Sequence, residues 1–222
     1  MQHLRRAPPL LPLVAVVLIA AGGGRGQDGG AAIAQQGNDQ GAAPCAGCHG
    51  ARGEGNPDIG APRLAALGTP YILEQLGSFA DGSRANAVMA PIAQALSPEE
   101  RNSVAAYYSA LPAPKVWSAG VAATLPGTRL AERGRWAEGL PACVQCHGPG
   151  GIGVGAAFPP LAELPRSYMV EQLRAWRTGT RPPGPLGLMP AVAGKLSESD
   201  MAAVADYFAR LAGPAPEQET GQ

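Results

Sequence analysis

Lysine is almost absent from this chain: among its 222 residues only Lys115 and Lys195 carry an ammonium side chain. Seventeen basic and 17 acidic residues balance to a formal net charge of zero, which excludes a polybasic surface for nucleic acid or anionic lipid. Aromatic residues make up only 5% of the sequence, and its helical-looking segments are rich in alanine. Side chains alone would therefore give a thin core, leaving room for something other than protein in the middle. Histidine is equally scarce, and outside two short motifs the only one is His3. No run alternates polar and apolar residues as a half-buried strand would, so sheet is not expected.

Turn formers are plentiful instead, with 31 Gly and 23 Pro, so much of the backbone must run as loops between short helices. At the front, Arg5 and Arg6 precede an apolar run over residues 10–21 that breaks at Gly22, Gly23 and Gly24. This is the pattern of an export signal. The run is shorter than the roughly 20 residues a spanning helix needs, so cleavage is the expectation and retention as a membrane anchor the alternative. A cut between residues 21 and 27 would spare the opening helix at residues 31–36, which cleavage after Ala34 would remove.

The same words recur about 98 residues apart. Cys45-Ala46-Gly47-Cys48-His49 returns as Cys143-Val144-Gln145-Cys146-His147, and Tyr71-Ile72-Leu73-Glu74-Gln75-Leu76 returns as Tyr168-Met169-Val170-Glu171-Gln172-Leu173. Each half reads as a short helix, the cysteine motif, a Gly/Pro-rich loop, a middle helix, a methionine loop and a final helix. Thr69-Pro70 is expected to cap and start the first middle helix. Ser97-Pro98-Glu99-Glu100 reads as a capping box, and Ser197-Glu198-Ser199-Asp200 approximates it with Asp in place of Glu. The expected organisation is an export segment at 1–26, one domain at 27–115, a linker at 116–124, a second domain at 125–214 and a polar tail at 215–222.

All four cysteines lie in two copies of C-x-x-C-H, the pattern of c-type haem attachment. Two thiols three positions apart can reach the two vinyl groups on one porphyrin edge, and the adjacent histidine then lies beneath the iron. A thioredoxin-like dithiol, a structural zinc site and a disulfide across each motif are the alternatives. The first needs no histidine, the second lacks a nearby fourth Cys or His, and the third is geometrically poor. With His3 in the export segment, neither iron can be bis-histidine. Met169 and Met201 fall on expected helices as packing residues. Met89 and Met189 recur in loops next to proline, 40 residues beyond His49 and 42 beyond His147, where a thioether could reach the opposite face. Pro62 and Pro159 are candidates for the carbonyl that holds the second histidine nitrogen; the alternative is that they only stiffen a turn. Tyr71, Tyr168, Phe79 and Trp176 are expected to wall the haem or pack the helices.

On these residues the chain resembles the class I c-type cytochromes, and two such domains in tandem resemble the bacterial di-haem group typified by cytochrome c4. The likeness runs through C-x-x-C-H, P-x-L, Y-x-x-E-Q-L, the Met-Pro loop and a capped final helix with an aromatic pair. It implies an all-α fold of two tandem cytochrome c domains, each a small helical bundle wrapped around one covalent haem, with the first and last helices of each domain crossing. It further implies two haem c groups held by Cys45, Cys48, Cys143 and Cys146, with His49 and His147 as proximal and Met89 and Met189 as distal iron ligands. The implied activity is single-electron transfer between redox proteins in the periplasm rather than catalysis. A haem-bearing subunit of a membrane oxidase or dehydrogenase complex is the alternative, and a di-haem oxidoreductase a weaker one. Met89-Ala90-Pro91 departs from the Met-Pro pattern and Ala61 stands where the second half has Phe158, so the two haems are expected to differ in potential.

Overall fold

The computed structural model describes residues 24–112, 125–184 and 186–211; most of the expected export segment, the 116–124 linker and the 215–222 tail lie outside them. The first half contributes α1 (Gly24–Gln36), α2 (Ala46–His49), α3 (Thr69–Ala80), α4 (Met89–Gln94) and α5 (Pro98–Ala110). The second repeats the series as α6 (Thr128–Arg133), α7 (Cys143–His147), α8 (Arg166–Thr178), α9 (Leu188–Gly194) and α10 (Glu198–Ala209). Among the described residues there is no strand, only three isolated antiparallel bridges that pin loops, such as Asn56 to Ala61 and Val154 to Phe158. Helix α1 begins at Gly24, ahead of the expected start at residue 31.

In each half the opening helix packs against the final one, and glycine makes the approach possible. A Cβ on Gly30 would lie 2.1 Å from the Ser103 carbonyl oxygen, and one on Gly127, just before α6, would lie 2.1 Å from that of Ala203. Any larger residue would push the crossing apart. The final helices start on capping boxes, as expected: Ser97 accepts from the Glu100 amide at 3.1 Å and Ser197 from the Asp200 amide at 3.1 Å, while each acid reaches back to the serine N–H. Asn38 then grips the Glu100 carboxylate and the Ala95 carbonyl, and Arg135, 97 positions later, grips Asp200 and the Lys195 carbonyl. One half uses a neutral amide where the other uses an ion pair.

Two expectations are corrected. Helix α3 is preceded by Gly68 with no side-chain cap, and Thr69 lies inside the helix; Pro70 fits the first turn, where its missing N–H has no partner to lose. Met89 and Met189 do not sit in loops. They stand in the first turns of α4 and α9, because Asn86 Oδ1 accepts the Met89 amide at 2.8 Å, and Pro91 and Pro190 are tolerated at helix starts.

The first half has one buried cluster, running from Leu67, Ile72 and Leu76 to Val104 and Tyr108, with Cys45 and Met89 packed against it. The second half has two, one around Phe208, Tyr207 and Met169, the other around Leu173, Leu196 and Met201, and Cys143 borders both. Met169 and Met201 are packing residues, as expected.

Candidate functional site

Each C-x-x-C-H motif folds as a single turn of helix that ends at the histidine and breaks at a glycine with φ near +80°, Gly50 or Gly148. All four cysteines are free thiols; Cys48 is exposed and the other three are half-buried. Burial pushes the Cys45 thiol up and the Cys143 thiol up to about 12. A catalytic dithiol needs the opposite shift, so the redox-motif alternative finds no support. Among the described residues no group of three or more His, Cys, Asp or Glu comes together that could hold a metal ion, which leaves the zinc alternative without a fourth ligand.

His49 and His147 are buried. His49 Nδ1 lies 2.7 Å from the Pro62 carbonyl oxygen and His147 Nδ1 lies 2.6 Å from that of Pro159, so the two prolines stand where the sequence placed them. A carbonyl only accepts, so Nδ1 carries the proton and Nε2 keeps its lone pair for a metal. Burial pulls both imidazoles below their ordinary range, with the carbonyl opposing it, which keeps the rings neutral as ligands must be. The loop is held in the same way in both halves, by Gly55 N–H to the His49 carbonyl and Gly153 N–H to the His147 carbonyl, each 2.7 Å.

Sequence reasoning missed a second site, at the contact of the two halves. Arg84 and Arg181 are buried at 5% and 6% exposure. Arg84 donates to Gln75 at 2.6 Å in its own half and to Gln172 at 2.6 Å and Tyr168 at 3.2 Å in the other. Arg181 answers with Gln172 at 3.0 Å, Gln75 at 3.1 Å and Tyr71 at 3.2 Å. The two halves thus meet through the same surface used twice, as in a two-fold dimer. Arg84 lies over the Phe79 ring at 4.4 Å and Arg181 over Trp176 at 3.9 Å. The four aromatic residues expected to wall the haem or pack helices here seat two cations. Neither guanidinium has a carboxylate partner among the described residues. The signal was available: Arg84 and Arg181 stand 97 apart, the offset of Tyr71 to Tyr168 and Gln75 to Gln172.

These features fit a haem. Paired thiols would meet its vinyl groups, a neutral Nε2 would meet its iron, and buried guanidiniums without protein counterions suit a group that brings carboxylates.

The family model described as Cytochrome c matches residues 34–111, and the one described as Cytochrome C oxidase, cbb3-type, subunit III matches residues 132–208. The "Thiosulfate dehydrogenase electron acceptor" of Stutzerimonas stutzeri (strain A1501) is 46% identical over 197 residues, covering 88% of this chain and 89% of that protein. The structure of reduced recombinant cytochrome c4 from Pseudomonas stutzeri aligns with TM-score 0.70 and 30% identity over 82% of this chain and 97% of that one. A thiosulfate dehydrogenase from Marichromatium purpuratum aligns with TM-score 0.75 and 45% identity over 82% of this chain, which spans only 39% of that longer chain.

Proposed function

Because this chain belongs to the c-type cytochromes, in the di-haem group of cytochrome c4, we propose that it accepts single electrons from a thiosulfate dehydrogenase and passes them to a further redox protein in the periplasm. It is a di-haem electron carrier, mostly helical, with two covalently bound haem c groups in two cytochrome c domains. The observation that carries the choice of donor is the 46% identity, over nearly the whole chain, to a protein described as the electron acceptor of that enzyme.

When bound, each haem c supplies a one-electron iron couple on a permanently attached cofactor. On this reading Cys45 and Cys48 hold one group through sulfur, and Cys143 and Cys146 the other. His49 and His147 present Nε2 to the irons while Pro62 and Pro159 fix the rings. Met89 and Met189, in the first turns of α4 and α9, would supply the second ligand to each iron, a ligand set that suits carriage of electrons rather than turnover of thiosulfate. Arg84 and Arg181, buried and without a carboxylate partner among the described residues, would supply positive charge for the carboxylates that the cofactor brings. With two lysines in all, docking relies on apolar contact: Val88 precedes Met89 and Leu188 precedes Met189, and both are exposed. The export pattern in residues 1–26 supports the periplasm, and domains at 27–115 and 125–214 joined at 116–124 accommodate both family matches. No helix among the described residues is long and apolar enough to cross a membrane.

The test is reconstitution. The oxidised protein mixed with a thiosulfate dehydrogenase and thiosulfate should be reduced at both haems, and should stay oxidised when either component is omitted. Failure of reduction by an enzyme that reduces another carrier under the same conditions would count against this donor. The match of residues 132–208 to an oxidase subunit favours one other reading, delivery of electrons within a membrane oxidase, which co-purification with a membrane complex would identify.

A further inference from the structure

At one pair of equivalent core positions the two halves differ by a single buried oxygen atom. Tyr108 on α5 and Phe208 on α10 are equivalent positions, both 1% exposed. Each ring rests on a glycine of the loop after the cysteine motif: a Cβ on Gly53 would lie 2.6 Å from Tyr108 Cε1, and one on Gly151 would lie 2.6 Å from Phe208 Cε1. Both carbonyls accept from a residue with positive φ, Ala66 at 2.9 Å and Glu163 at 3.1 Å. Both rings meet the preceding tyrosine edge to face, at 5.0 Å for Tyr107 and 4.9 Å for Tyr207. What remains is the Tyr108 hydroxyl. It is buried with no nitrogen or oxygen partner among the described residues, and the group it faces is the Cys45 sulfur. The preceding residue is a tyrosine in both halves, and the Tyr207 hydroxyl has an acceptor of its own in Glu132.

A buried donor without an acceptor is disfavoured, so a native structure that keeps one calls for a reason. Attachment of haem supplies it. While Cys45 is a thiol, either group can donate to the other; as a thioether its sulfur has lost its proton and can only accept. We propose that the Tyr108 hydroxyl donates to the Cys45 thioether sulfur and thereby raises the potential of the first haem relative to the second. This rests on the reading that Cys45 carries haem. The O–H dipole turns its positive end toward the macrocycle edge, and in a buried, weakly polar site it stabilises the state with one more electron. Phe208 offers the second haem no such dipole. Tyr108 is a tuning residue, and the chain holds its own control at the equivalent position.

The experiment is a reciprocal exchange in the full haem-loaded protein, read by potentiometric titration of the two haem waves. Tyr108→Phe should lower one midpoint and leave the other in place; Phe208→Tyr should raise the wave that Tyr108→Phe leaves alone. The expected effect is a severalfold change in how one electron divides between the haems, where tenfold corresponds to about 59 mV. Midpoints unmoved in Tyr108→Phe with both haems present would overturn the proposal, as would a rise in that wave or equal shifts in both. If Phe208→Tyr fails to fold, Tyr108→Phe decides alone, since it removes one oxygen and keeps the ring. Peptide mass mapping separates the two failures: no haem on the Cys45 peptide removes the attachment reading itself, whereas haem present with unmoved midpoints removes only the role of the tyrosine.

Discussion

Arg84 Nη2 in the first half lies 2.6 Å from Gln172 Oε1 in the second, and Arg181 returns the contact to Gln75 at 3.1 Å. A buried guanidinium cannot be left without acceptors, so this pair ties the orientation of the halves to hydrogen bonding rather than to apolar area alone. Replacing Arg84 by Met removes three charge-assisted bonds and should cost about 2–4 kcal/mol in denaturant titration. In a double-mutant cycle Arg84→Met and Gln172→Ala should couple by about 1–2 kcal/mol. A pair that behaves additively would show that the contact does not bind the halves.

Ligation gives the second expectation. Met189→Ala should open one iron to carbon monoxide and lower its midpoint by on the order of 100 mV, a fraction of the roughly 0.8 V over which axial ligands shift haem potentials. Met89→Ala should do the same to the other haem alone. Redox titration with and without carbon monoxide checks both; a wild-type protein that binds the gas readily at both irons would favour catalysis or sensing.

Glycine supplies the third. Gly151 has φ +70° and no room for a Cβ against the Phe208 ring. Gly151→Ala should therefore cost about 2–4 kcal/mol, from left-handed strain plus overpacking in a core that cannot shift. Thermal unfolding of the haem-loaded protein would read it.

The fourth concerns acid. The Arg135 guanidinium beside Asp200 holds its carboxyl down at about 2, against an ordinary value of 3.8. A carboxyl depressed on folding contributes stability above its unfolded pKa and loses it as pH falls through the folded one. The α10 cap should therefore weaken between about pH 4 and pH 2. Arg135→Asn, which copies Asn38 of the first half, should shrink that loss while costing about 1 kcal/mol at neutral pH, because the ion pair is only partly buried and solvent screens it. Unfolding titrations at several pH values would show it.

Local chemistry was legible in the sequence wherever a short word sufficed. The two C-x-x-C-H motifs, the carbonyls of Pro62 and Pro159 and the capping serines Ser97 and Ser197 act over few residues, so spacing alone located them. Met89 and Met189 read as loop residues because helices of six or seven residues with an early proline leave no periodic trace. Arg84 and Arg181 escaped for a different reason. An arginine in a Gly/Ser/Pro-rich loop looks solvated, and its burial arises only when two such loops face each other. The repeat arithmetic held the clue, since identical offsets for Arg, Gln and Tyr mark one surface copied twice.

Coulometric titration of the intact chain is the most direct test of the account. Two electrons should enter per polypeptide, in two one-electron steps, and replacing both Cys143 and Cys146 by Ser should leave one. Uptake of a single electron by the unaltered chain, or of none, would contradict it.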